Sequence, residues 1–125
     1  MRARVLIADD SAHMRTILKN ALLRNGYDVV GEAEDGNEAV SLYEKLKPDV
    51  AAIDIKMPRM DGIEALKAIK SKHPDAKVVM ISAMGQQKDV IEAMRSGASD
   101  FFIKPFIAEK VVEAIENALC GVKRS

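Results

Sequence analysis

The feature that most constrains the fold of this chain is a fivefold alternation of short apolar runs and longer amphipathic segments. The apolar runs are RVLIA (4–8), DVVGEA (28–33), DVAAI (49–53), KVVMI (77–81) and DFFI (100–103). The first, third and fourth are continuously apolar and rich in Val or Ile, which is typical of strands covered on both faces. The second is more polar, so we expect it near an edge of the sheet.

Each run is followed by a segment with helical periodicity, and we predict helices over 12–26, 35–46, 61–71, 87–97 and 107–121. Asp35 precedes Glu38 by three residues and Asp61 precedes Glu64 likewise, which predicts capping boxes at the second and third helices. Strands that alternate with helices favour a parallel sheet with right-handed crossovers and helices on both faces. The pattern therefore predicts an α/β fold with a doubly wound, five-stranded parallel sheet.

The length of the chain, 125 residues, fits one domain. A chain of this size buries roughly two thirds of its unfolded surface, which is enough for a real core. We predict a single domain over 1–125, with residues 121–125 as a tail or the remnant of a linker.

Composition excludes several classes of protein. No apolar run approaches the roughly 20 residues of a membrane span, and the N-terminus lacks a signal-peptide pattern. The single cysteine, Cys120, has no partner for an internal disulfide, which fits a reducing cytoplasm. Nineteen basic and nineteen acidic residues cancel, so the chain lacks the excess of positive charge that is typical of nucleic-acid-binding domains.

Polar side chains follow four of the five apolar runs. Asp9 and Asp10 follow the first run, Asp54 the third, Ser82 the fourth and Lys104 the fifth. Because the carboxyl ends of parallel strands meet at one edge, we expect these side chains to converge on one cleft. Three carboxylates need a cation, and oxygen ligands with open positions suit Mg²⁺. Three aspartates, one Mg²⁺ and one lysine sum to zero charge, so this site is suited to receive a phosphoryl group.

Four motifs carry a resemblance to a known family: LIADDS, DIKMPRMDG, ISAMGQQ and FFIKPF, in this order. With them the chain resembles the receiver domains of two-component response regulators, and most of all the stand-alone chemotaxis regulators of the CheY type. The resemblance spans essentially the whole chain and implies a flavodoxin-like (βα)5 fold with strand order 2-1-3-4-5. The stretch SAMGQQ and the absence of an output domain favour the chemotaxis branch over a transcription factor.

The resemblance also implies a role for each site residue. Asp54 is the expected phosphoacceptor. Asp10, Asp54 and the backbone carbonyl of Lys56 are the expected ligands of Mg²⁺, with Asp9 acting mainly through a metal-bound water. Lys104 is expected to pair with the phosphoryl oxygens.

Three further expectations follow from the family. Ser82, together with the amide of Ala83, is expected to bind a phosphoryl oxygen, and Ser82 and Phe101 form the expected switch pair. The Lys104–Pro105 bond is expected to be cis. Two positions that influence the lifetime of the phosphate hold Lys56 and Met84, and neither side chain offers an amide or carboxylate to orient water.

The function implied is a phosphorylation-activated signalling switch in the cytoplasm, a monomer without direct contact to nucleic acid or membrane. Its expected donor is a CheA-like sensor histidine kinase, and its expected output partner is a flagellar motor switch protein or another effector. A phosphatase is a further candidate partner. The chain is an enzyme only in catalysing its own phosphorylation and dephosphorylation.

Three alternative functions compete with this one. The chain could be a receiver fragment of a larger response regulator, such as a transcription factor. A phosphohydrolase with an aspartyl-phosphate intermediate would need a second aspartate two residues after the nucleophile, where this chain has Lys56. A nucleotide- or flavin-binding domain is unsupported, because neither G-x-G-x-x-G nor G-x-x-x-x-G-K-[ST] occurs.

Overall fold

The computed structural model describes residues 3–83 and 87–120. Its five strands form one parallel sheet in the order β2-β1-β3-β4-β5. The strands are β1 (Arg4–Ala8), β2 (Asp28–Ala33), β3 (Val50–Asp54), β4 (Val78–Ser82) and β5 (Asp100–Ile103). The doubly wound α/β fold and its implied strand order are therefore confirmed.

Two strands are displaced by one residue from their predicted bounds. Asp54 pairs with Ile81, and Ser82 pairs with Ile103. Asp54 and Ser82 are therefore the last residues of β3 and β4, and do not follow them as predicted. Ladder pairing extends these strands past their apolar stretch, because backbone hydrogen bonds do not depend on the polarity of the side chain.

Five helices lie between and after the strands: α1 (Ala12–Arg24), α2 (Gly36–Leu46), α3 (Gly62–Lys72), α4 (Gln87–Arg95) and α5 (Ala108–Leu119). The predicted helices ran one or two residues too far at several ends. Gly26 and Gly97 have φ values of 85° and 101°, so they lie in the turns that follow α1 and α4 and not within these helices. The predicted end of the last helix, residue 121, lies outside the described residues.

The capping box predicted for α3 is confirmed, whereas the one predicted for α2 is only half formed. At α3, Asp61 accepts a hydrogen bond from the Glu64 amide, and the Glu64 carboxylate accepts one from the Asp61 amide. At α2, Asp35 accepts from the Glu38 amide at 2.8 Å, but the Glu38 carboxylate accepts from the Glu34 amide at 2.9 Å. The reciprocal bond of the box is absent there because the Glu38 side chain reaches one residue further back.

The core lies in two layers, one on each face of the sheet. Helices α1 and α5 cover one face, where their apolar side chains pack on those of the central strands, such as Ile7 and Val79. Helices α2, α3 and α4 cover the other face, around Leu6, Ile53 and Met80. As predicted, β1, β3 and β4 are almost wholly buried and β2 is a partly exposed edge strand. Within the described residues, no helix is both long enough and apolar enough to cross a membrane.

Candidate functional site

Three carboxylates meet where the carboxyl ends of β1 and β3 lie side by side. The parallel register places Ala8 beside Ile53, so the next residues, Asp9 and Asp54, lie side by side at the carboxyl edge of the sheet. One oxygen from each of Asp9, Asp10 and Asp54 lies within 4.8 Å of the others. Asp9 and Asp54 are buried, with 5% and 2% of their surface exposed, whereas Asp10 is exposed. The predicted convergence of these three residues is confirmed.

Lys104 completes the cluster. It follows β5, which lies two strands away from β3. Its Nζ donates to Asp9 Oδ2 at 2.9 Å and to Asp54 Oδ2 at 3.4 Å. The Lys104 amide donates to the Ser82 carbonyl at 2.6 Å, which anchors the start of this segment to β4, and the Lys104–Pro105 bond is cis as expected. Burial alone lowers the pKa of the Lys104 ammonium, but hydrogen bonds and negative charge from Asp9 and Asp54 outweigh it and raise the pKa. Lys104 is therefore a cation at neutral pH.

Asp54 has one buried oxygen without a partner in the described part of the chain. Its Oδ1 is buried and has no hydrogen-bond partner among the described residues. Burial, and then the charge of Asp9, raise the pKa of Asp54 to about 6, against the lowering effect of Lys104. A buried carboxylate oxygen without a donor is costly unless a cation approaches it. The all-oxygen donor set and the exposed position of Asp10 fit Mg²⁺, which prefers one or two carboxylates and keeps several waters.

The backbone that carries Asp9 and Asp10 is held on three sides. The Asp9 amide donates to the Ala33 carbonyl at 3.0 Å, and Asp9 Oδ1 accepts from the Ser11 amide at 2.9 Å. Arg15, from the first turn of α1, donates through Nη1 to the Asp9 carbonyl at 2.6 Å. Sequence analysis missed Arg15, because an arginine in an amphipathic helix looks like part of a solvated face. Its partner lies six residues away with no local motif to indicate the contact.

The segment after β3 folds back tightly under Asp54. The Ile55 amide donates to the Ile81 carbonyl at 2.8 Å, and the Gly62 amide donates to the Ile55 carbonyl at 2.7 Å. A Cβ atom at Gly62 would overlap the backbone carbonyl of Asp54. The side chain of Lys56 is exposed. Close backbone packing at Gly62 thus fixes where the residues after Asp54 begin their turn.

Ser82 and Phe101 lie on neighbouring strands. Ser82 is fully buried at the end of β4. Phe101 on β5 is paired with Met80, and Ile103 is paired with Ser82. Side chains two residues apart on a strand share a face, so Phe101 and Ser82 lie on the same side of the sheet. Phe101 is partly buried against the core beneath α2, α3 and α4. Met84, the second expected determinant of phosphate lifetime, lies outside the described residues.

Comparison with known proteins agrees with this geometry. The chain matches the response regulator receiver domain over residues 5–116. It is 52% identical to the chemotaxis protein CheY of Listeria monocytogenes over 115 residues, which is 92% of this chain and 97% of that protein. It is 53% identical to CheY of Thermotoga maritima over 117 residues, 94% of this chain and 98% of that protein.

A solved structure of a relative is also similar. In the crystal structure of the CheX–CheY–BeF3–Mg²⁺ complex from Borrelia burgdorferi, the matching chain superposes with a TM-score of 0.88 at 35% identity. The match covers 92% of this chain and 87% of that chain. Fold, sequence and acidic cleft agree, and the chain therefore belongs to the family of response regulator receiver domains, the signalling switches of two-component systems.

Proposed function

We propose that this receiver domain accepts a phosphoryl group on Asp54 and uses it to change its affinity for a partner in chemotaxis. The observation that supports this most directly is Asp54 Oδ1, a buried carboxylate oxygen without a partner among the described residues, beside a lysine and two further carboxylates. Asp54 lies at the carboxyl end of the central strand, where ligands of doubly wound sheets bind.

Each neighbouring residue has a role in this proposal. Asp10, Asp54 and the Lys56 carbonyl would hold Mg²⁺, which when bound supplies positive charge that offsets repulsion between the carboxylates and an anionic phosphoryl donor. Both oxygens of Asp9 already accept hydrogen bonds, from Ser11 and Lys104, which supports an indirect part for Asp9.

The transfer itself asks little of the protein beyond position and charge. An oxygen of Asp54 attacks the phosphorus of a phosphohistidine, a P–O bond forms, and the P–N bond to the leaving imidazole breaks. Lys104 neutralises one phosphoryl oxygen, and the Ser82 hydroxyl with the Ala83 amide donates to another. The chain thereby catalyses its own phosphorylation.

The partners are proposed from the relatives. Both sequence relatives described above are named chemotaxis proteins, which supports a CheA-like histidine kinase as donor and a flagellar motor switch protein as output partner. The Borrelia CheY complex contains BeF3, Mg²⁺ and CheX, which supports a site for a phosphoryl mimic with Mg²⁺ and a further protein partner. The hydrolase alternative is not favoured, because Lys56 stands where its acid would be needed.

The experiment that tests the proposal is labelling with acetyl phosphate in the presence of Mg²⁺. Wild type should gain one acid-labile phosphoryl group, measured by intact mass, and Asp54→Asn should gain none while it stays folded. Asp75→Asn is the matched control, since Asp75 is an exposed carboxylate in the turn that leads into the opposite end of β4. Undiminished labelling of Asp54→Asn would remove Asp54 from its role. The intact mass of the native protein also distinguishes a stand-alone receiver from one within a longer regulator.

A further inference from the structure

The loop that follows the phosphoacceptor strand, residues 55–61, is tied to the turn before α2 by an ion pair. Arg59 donates to Asp35 Oδ2 through Nη2 at 2.7 Å and Nε at 2.8 Å. The other oxygen, Asp35 Oδ1, accepts from the Glu38 amide. The Glu38 amide, and then the Arg59 guanidinium, lower the pKa of Asp35. Asp35 is therefore ionised at neutral pH, although only 7% of it is exposed.

Arg59 holds an unusual backbone conformation. Its φ is 67°, in the left-handed region that residues with a Cβ atom seldom adopt. Next to it, the Met60 carbonyl accepts a hydrogen bond from the Gly36 amide at 2.8 Å, and a Cβ at Gly36 would overlap the Met60 backbone. Two successive loop residues thus lie against the turn that carries Asp35. A strained residue persists only where its surroundings hold it, and such residues cluster at functional sites.

The loop that carries Arg59 is closed next to the site. The Gly62 amide bonds to the Ile55 carbonyl at 2.7 Å, so the loop begins and ends at the same point under Asp54. Met57 is buried in the core and anchors the middle of the loop. Lys56 lies between Ile55, whose amide and carbonyl are both hydrogen-bonded, and Met57, whose side chain is buried. The direction of the Lys56 carbonyl therefore depends on the course that the following loop residues take.

We propose that Asp35 and Arg59 form a positioning pair that sets the course of loop 55–61 and thereby the direction of the Lys56 carbonyl toward Mg²⁺. The inference rests on the proposed function, because it takes that carbonyl to be a ligand. Neither residue of the pair touches the metal or the phosphoryl group. Their effect is to keep the ligand set organised before the ion arrives.

The test compares Mg²⁺ affinities, measured by the shifts of backbone amide resonances during titration. Arg59→Asn removes the guanidinium and keeps a residue that tolerates positive φ. Its Mg²⁺ dissociation constant should rise by about tenfold, the low end of the effect seen when the outer partners of a metal ligand are removed. Asp35→Asn keeps a good N-cap side chain but loses the charge. It should give a similar rise, and the double variant should be no weaker than either single one.

Lys47→Asn is the matched control. Lys47 and Arg59 are the non-glycine residues with positive φ in the described part of the chain, and Lys47 lies at the other end of α2, away from the site. The same substitution there replaces a basic side chain with asparagine at positive φ, and it should leave the Mg²⁺ dissociation constant unchanged. A second readout needs no metal: amide exchange at Gly36, which bonds to the Met60 carbonyl, should speed up in Arg59→Asn and not in Lys47→Asn.

The outcomes separate the two proposals. If wild type binds Mg²⁺ and both Arg59→Asn and Asp35→Asn bind it equally well, the pair does not position the loop and this inference is wrong. If Lys47→Asn loses affinity as much as Arg59→Asn does, the effect is one of general stability and the inference is again wrong. If wild type itself fails to bind Mg²⁺, the proposed function is wrong and the inference with it.

Discussion

At the scale of single residues, the site is defined by a carboxylate that the fold makes difficult to ionise. Asp54 is buried, is close to two other acidic side chains, and shares one lysine with Asp9. Burial and like charge favour its protonated form. The site without a ligand therefore carries stored electrostatic repulsion, which a divalent cation relieves on binding.

This repulsion predicts a pH dependence of stability. The folded-state pKa of Asp54 is raised to about 6, above its value in the unfolded chain, so the folded state binds the proton more tightly. The contribution of Asp54 to the free energy of unfolding should therefore increase as pH falls through 6, by at most about 3 kcal/mol. The measurement is denaturant unfolding of metal-free wild type and Asp54→Asn between pH 7.5 and 4.5, a span chosen to bracket the raised pKa of about 6.

The difference between the two proteins isolates this group from the other carboxylates. Saturating Mg²⁺ should abolish the trend, because the cation favours the ionised carboxylate. A difference that stays flat across the pH range would show that Asp54 ionises normally, and that the cluster does not store the repulsion inferred from its geometry.

A second prediction at this scale concerns Asp10. It is exposed, in contrast to Asp9 and Asp54, so Asp10→Ala should cost little folding stability. It removes one of the three carboxylates that we expect to attract Mg²⁺, and the dissociation constant should rise by about tenfold or more. Calorimetric titration of metal-free protein measures this, with Asp75→Ala as the control. Unchanged affinity in Asp10→Ala would mean that the proposed ligand set is wrong.

At the scale of elements, the sequence predicted most of the architecture, because the spacing of apolar residues along the chain reflects which side chains are buried. The three central strands are covered on both faces and therefore appear as continuous apolar runs, and the amphipathic helices have one apolar side. Boundaries were less accurate, as at Asp54 and Ser82, since ladder pairing continues where the apolar pattern stops. Convergence of the site followed from topology alone, because parallel strands end at one edge.

The rest of the site was not predictable from local pattern. Arg15 donates to the Asp9 carbonyl and Arg59 donates to the Asp35 carboxylate, yet each looks like a solvated surface residue in the sequence. The Arg59–Asp35 contact joins residues 24 positions apart through one loop conformation. Such a contact depends on the tertiary path of the chain. The role of Lys56 as a ligand remains a prediction from family resemblance.

One prediction belongs to strand β5. Phe101 and Ser82 share a face of the sheet on neighbouring strands. If the Ser82 hydroxyl moves toward a phosphoryl oxygen, Phe101 can turn inward, and the surface formed by α4, β5 and α5 changes shape. Beryllofluoride should therefore tighten binding of the output partner to wild type, and much less to Phe101→Ala. Coupling of this kind is typically worth about 1–3 kcal/mol.

Phe102→Ala is the control for this prediction, since Phe102 packs on the opposite face against the layer of α1 and α5. Its gain on activation should match that of wild type. Titrations of the partner with and without beryllofluoride and Mg²⁺ measure the gain for each protein. Equal gains in wild type and Phe101→Ala would show that Phe101 is a static packing residue.

At the scale of the whole molecule, the site accounts for the reaction but not for the choice of donor. In the proposed function the acidic cluster holds Mg²⁺, and Lys104 and Ser82 contact a phosphoryl group, which every donor of this class presents. Formal net charge over the chain is zero, so net charge alone favours neither an acidic nor a basic partner. We expect specificity to come from the shape, charge distribution and local chemistry of the surface around the cleft.

The last prediction follows from that separation of reaction and recognition. Small donors such as acetyl phosphate meet only the cleft, whereas a kinase domain must also fit the rim around it. We therefore expect a CheA-like kinase from the same cell to transfer its phosphoryl group faster than kinases of other two-component pairs, while labelling by acetyl phosphate depends only on the site. Phosphotransfer rates against a panel of autophosphorylated kinases measure this, with Asp54→Asn as the control that should accept from none. If a kinase from outside chemotaxis transfers fastest, the chemotaxis assignment is wrong, although Asp54 would keep its role as phosphoacceptor.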